Sequence, residues 1–237
     1  MNTNESYAVF AIASTLIMSF IYFLILDKMK AAKREKTRAR IISLYTWRKI
    51  SGFLLLGALP AITALVFFKA DLFQAGVSAG STGHLWPWIA GASVLFISLN
   101  FLNNSKDQNL RAVYPELRLS EWDPGRLSIL AGGWVLYFIG YEFLFRGLLL
   151  FSCYNAFGYW PAIVINLALY SALHLPKGLK EATVAIPFGL LLCYLTIESH
   201  SILPAIIIHS VQAISFDLSC IYRNQEMNIN LFKMKKP

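Results

Sequence analysis

Residues 140–151 read GYEFLFRGLLLF, an apolar run that contains a carboxylate, Glu142, and a guanidinium, Arg146. On a helix, residues four apart share a face and can touch, so the two can neutralise each other and lower the cost of leaving water. The bland reading is an ion pair that clasps one helix to its neighbours. The chemical reading is that Arg146 fixes the rotamer of a catalytic carboxylate. Two histidines make that second reading worth weighing. His174 closes a stripe with Asn166 and Tyr170 at spacing four, two residues before Pro176, and His209 shares a face with Gln212. A histidine at a helix end can equally snorkel to an interface or face a polar cavity. One carboxylate and two imidazoles from three separate segments are a set that can activate water or ligate a divalent metal. No HExxH is present, so a conventional zinc-peptidase helix is absent.

The segments that carry these groups are built for lipid. Of 237 residues, 57% are hydrophobic and 14% charged, against about a quarter charged in a soluble domain. Apolar runs fall at about 7–26, 52–68, 86–102, 127–152, 159–174, 183–198 and 202–218. Each is roughly long enough to cross ~30 Å of hydrocarbon as a helix, and none alternates as a barrel strand does. The expected fold is an all-α polytopic membrane protein with seven transmembrane helices. An ionisable side chain inside such a span is by default a functional-site hypothesis; Glu142, Arg146, His174, Glu198, His209 and Asp217 qualify. At about 1.5 Å per residue, Glu142 and His209 lie nearer the outer end of their spans, and His174 roughly 10 Å closer to the cytoplasm.

Charge sets the orientation. Nineteen of the 21 Lys and Arg residues lie in 27–50, 103–126, 176–183 and the tail after Ile221, which seven spans put on one side. The positive-inside rule then predicts an outside N-terminus and a cytoplasmic C-terminus; the expected location is the plasma (inner) membrane. The same rule accounts for the net charge of +8 without any nucleic-acid partner. The basic segment 27–50 can also meet anionic headgroups, which makes membrane lipids a partner. Cys153, Cys193 and Cys220 are isolated and suggest neither a disulfide framework nor a zinc site. The opening MNTNESY has no basic residue, so the first span reads as an anchor rather than a cleaved signal. The expected organisation is one integral domain: three N-terminal helices in 1–126 with a basic cytoplasmic loop at 27–50, a four-helix core at 127–218, and a basic tail at 219–237. No internal repeat or matching pair of Gly/Pro-interrupted spans points to a small-solute transporter.

The order of the polar motifs resembles the CPBP family, the CAAX-protease and bacteriocin-processing membrane proteins that include the Ras-converting CAAX endopeptidases. The family pattern is Glu-Glu-x-x-x-Arg, then Phe-x-x-x-His, then His-x-x-x-Asn. Here the corresponding stretches are YEFLFR (141–146), YSALH (170–174) and HSVQA (209–213), each on a span between 127 and 218. The resemblance implies a CPBP-type helical bundle and an intramembrane endopeptidase acting on a peptide or lipidated, prenylated protein. It implies water activation by a glutamate and a histidine, with a second histidine and an asparagine stabilising the oxyanion. The set implied here is Glu142, Arg146, His174 and His209, with Tyr141, Tyr170 and Gln212 in support. No cofactor is required; a divalent metal, if one is used, falls to Glu142, His174 and His209. Two positions depart from the pattern: Tyr141 replaces the first glutamate, and Ala213 replaces the asparagine. Tyrosine is a poor base at neutral pH, whereas Gln212 lies on the His209 face and can supply an amide. The alternative is therefore a catalytically inactive homologue acting as a membrane scaffold or immunity-type protein.

Overall fold

The computed structural model describes residues 2–31, 37–102 and 114–230. Parts of the basic segments at 27–50 and 103–126, and the end of the tail, lie outside the described residues. The described chain is an α-helical bundle of α1 (Thr3–Ala31), α2 (Arg38–Phe68), α3 (Gly83–Leu102), α4 (Pro124–Phe157), α5 (Tyr159–Ala172), α6 (Leu179–Ser199) and α7 (Leu203–Arg223). All but α5 are long and apolar enough to cross a membrane, and α5 is a shorter apolar helix of 14 residues. A two-residue parallel pairing of Glu121–Trp122 with Asn228–Ile229 ties the tail to the approach to α4.

Local chemistry sets the helix ends. Asp123 caps α4 by accepting the Arg126 backbone N–H at 2.9 Å, and Pro124 follows in the first turn, where its missing N–H costs nothing. Gly158, at φ +84°, divides α4 from α5 in a conformation that favours glycine. Pro176 lies in a 3-10 turn after α5, and Pro204 sits in the first turn of α7 and does not interrupt it.

The second span departs from expectation. Its apolar run begins near residue 52, yet the helix begins at Arg38, so much of the segment read as a loop is helical. Hydropathy hid this turn of chain because Arg38, Arg40, Arg48 and Lys49 carry charge. Three of them find carboxylates in the fold: Arg38 pairs with Glu121 at 3.0 Å, and Lys49 and Arg48 with Glu116 at 2.8 and 3.5 Å. The fourth span likewise runs past residue 152 to Phe157.

Helix α4 is the centre of the bundle. It packs on α2 and α7, its end meets α1, α7 packs on α3 and α6, and α5 packs on α6. α2 and α4 approach backbone to backbone at Gly57 and Gly140, where a Cβ on Gly57 would lie 2.6 Å from Gly140 Cα. Small residues permit this approach in a bundle without a hydrophobic driving force. Close to the contact both helices widen into π turns, Leu54–Ala58 and Phe143–Leu150. Such turns are frequent at functional sites, and the one in α4 contains Arg146.

Candidate active site

Helix α4 carries one stripe of four-residue spacing, Trp134, Phe138, Glu142 and Arg146, beside a second of Tyr137, Tyr141 and Phe145. Glu142 and Arg146 are fully buried. Glu142 Oε2 lies 3.1 Å from Arg146 Nη1, so the ion pair expected from the spacing forms. The other oxygen, Oε1, is bonded to His209 Nδ1 from α7. A carboxylate accepts, so Nδ1 carries the proton. The Arg146 guanidinium carbon also lies 4.4 Å from the centroid of the Tyr170 ring, where a cation meets the negative face of an aromatic.

Aromatic rings hold His209. Phe138 stacks on the imidazole with centroids 3.9 Å apart. Tyr141 and Phe188 meet it edge-on at 5.7 and 5.1 Å. His174 lies in the turn just beyond α5, and its Nδ1 donates to the Tyr170 carbonyl at 2.8 Å. The Tyr170 ring stands 4.7 Å from the His174 ring and 6.2 Å from that of His209. The depth difference counted along the spans is thus bridged by one aromatic side chain. Both histidines line a single cavity of about 1240 Å³, together with Tyr141, Tyr170 and Gln212. Arg48, Lys49, Glu116 and Arg118 line its charged end.

The expected residues therefore divide into two shells of contact. His174, His209, Tyr141, Tyr170 and Gln212 face the cavity; Glu142 and Arg146 lie behind His209 and are not part of the wall. Asn166 shares the Tyr170 stripe but turns into the packing, donating to the Phe145 carbonyl at 2.6 Å and accepting from Cys193 Sγ at 3.2 Å. Glu198 is exposed at the end of α6. Asp217 is fully buried and accepts from Trp134 Nε1 at 2.8 Å and from the Glu116 backbone at 3.3 Å. The residues do not fit a metal ion: among the described residues no three His, Cys, Asp or Glu side chains form a ligating group. Both oxygens of Glu142 face His209 and Arg146.

Sequence reasoning missed Phe138, Trp134, Lys49 and Glu116. The first two were visible as the continuation of the Glu142–Arg146 spacing toward the N-terminus of α4. Lys49 and Glu116 carried no signal, because they meet across 67 residues of chain.

Fold and site together define a polytopic helical membrane protein with an internal cavity lined by histidines. Residues 122–214 match the family described as Rce1-like, Type II CAAX prenyl endopeptidase. The CPBP resemblance read from the three motifs is thereby borne out, over a stretch that contains all of them. No curated protein and no solved structure matches the chain.

Proposed function

We propose that this chain is an intramembrane endopeptidase of the CPBP type that hydrolyses a peptide bond in a prenylated protein or peptide. The observation that carries the reading is a pair of histidines in one cavity wall, each donating Nδ1–H to an acceptor behind it. With Nδ1 engaged, Nε2 is the nitrogen through which either ring acts. His174 is backed by a neutral carbonyl; as the imidazole, it takes a proton from water, and the hydroxide attacks the scissile carbonyl carbon. His209 is backed by a carboxylate that can balance a second ring proton, so its Nε2–H meets the oxyanion. The Gln212 amide is a further donor, replacing the one Ala213 lacks, and the Tyr141 hydroxyl another. As the intermediate collapses, the C–N bond breaks and His174 returns its proton to the leaving amine.

In this scheme Glu142 orients His209 rather than touching water, and Arg146 holds Glu142. No step requires a metal. The charged end of the cavity belongs to the segments richest in Lys and Arg, so the reading puts that end at the cytoplasmic face, with the N-terminus outside. Substrate then enters from the cytoplasm. Purified protein in detergent micelles should cleave a fluorogenic farnesylated peptide, and a chelator should leave the rate unchanged. His174→Ala should slow cleavage by at least about a hundredfold, the worth of a general base. Cleavage by His174→Ala at the wild-type rate would end the reading.

A further inference from the structure

We infer that Asp217 and Trp134 are positioning residues for His209. The inference rests on the reading of His209 as a reacting group, but the geometry behind it is separate from activity. Asp217 follows His209 by eight positions on α7, and Glu142 follows Trp134 by eight positions on α4. The two helices are therefore clasped twice in one antiparallel register. Glu142 takes His209 Nδ1–H, and two turns away Asp217 Oδ2 takes Trp134 Nε1–H at 2.8 Å.

Between the clasps the rings form a ladder. Trp134 stacks on Phe138 with centroids 5.2 Å apart and planes 10° from parallel, and Phe138 stacks on His209 at 3.9 Å and 27°. Asp217 sets the indole, the indole sets the phenyl, and the phenyl sets the imidazole plane. The far end of the ladder is itself anchored. Lys49 Nζ lies 3.0 Å from the Trp134 ring centroid, and the Glu116 backbone N–H donates to Asp217 Oδ1 at 3.3 Å. A single clasp at Glu142 would fix one atom of His209 and leave the ring free to rock about it; the ladder removes that freedom.

The test uses Trp134→Phe, which keeps a ring against Phe138 and deletes only the donor to Asp217. Trp122→Phe is the control: Trp122 is fully buried, and its indole nitrogen has no hydrogen-bond partner among the described residues. In full-length protein in micelles, the rate of His209 ethoxyformylation by diethyl pyrocarbonate is read by peptide mass spectrometry, beside kcat and KM. Trp134→Phe should label His209 about threefold faster or more and lower kcat about tenfold, with His174 labelling unchanged. Trp122→Phe should do neither. Phe138→Leu leaves both clasps in place and should accelerate His209 labelling in the same way, which keeps the inference testable if Trp134→Phe does not fold. Wild-type labelling in Trp134→Phe or Phe138→Leu, or equal acceleration in Trp122→Phe, overturns the inference. Accelerated labelling in a protein whose wild type cleaves nothing sinks the proposed reaction and leaves the positioning of His209 standing.

Discussion

Two clusters of buried charge flank the cavity, and they solve the same problem in opposite ways. The Glu142 carboxylate finds its charged partners on α4 and α7, and is fully buried between one arginine and one histidine. The Glu116 cluster draws on α2, the segment before α4, and α7, and its carboxylate has two cations, Lys49 at 2.8 Å and Arg48 at 3.5 Å. The first hides its charges and presents a histidine to the cavity. The second puts its charged side chains in the cavity wall itself. Under the proposed reaction, the first cluster is the one that orients a reacting group, and its enclosure keeps competing partners from Glu142. The second can exchange partners, because more than one cation shares the load.

Removing one cation from each cluster tests that contrast. Arg146→Met should have the largest effect, since it strips the permanent cation from Glu142 in a fully buried site; the expected loss is about 3–5 kcal/mol. Thermal unfolding in micelles measures it, and a melting temperature within error of wild type would erase the distinction between the clusters. Lys49→Met should cost less, roughly 2 kcal/mol, because Arg48 remains beside Glu116. If Lys49→Met proves the more damaging, the Glu116 cluster is the more demanding structure and the comparison inverts. The smallest change belongs to Arg38→Ala. Its partner Glu121 and Arg38 itself are 43% and 49% exposed, and such pairs are worth under about 1 kcal/mol. A large loss there would mean that the surface pairing holds the start of α2 in place.

Much of this architecture was open to sequence reading, and the reason is local. A span must be apolar over its own length to lie in lipid, so all seven helices left a contiguous signal. The Glu142–Arg146 pair was legible because both partners sit one turn apart on one helix. The start of α2 was not legible, since the partners of its charged residues, Glu116 and Glu121, lie far away in the chain. Asn166 misled for the complementary reason: periodicity places it with Tyr170 and His174, but it lies a turn deeper, where Phe145 and Cys193 claim its amide.

Composition and spacing alone were enough to establish a bundle of apolar helices, the residues in those helices that can carry charge or a proton, and the ion pair between Glu142 and Arg146. These follow from composition and from the 3.6-residue period, which operate within one segment. The packing of helix on helix was needed to learn that Glu142 faces His209 rather than the cavity, that His174 and His209 share one wall, and that stacked rings run from Trp134 through Phe138 to the second of them. Each of those depends on the register between two helices. Register is settled by side chains meeting across space, which no single segment encodes.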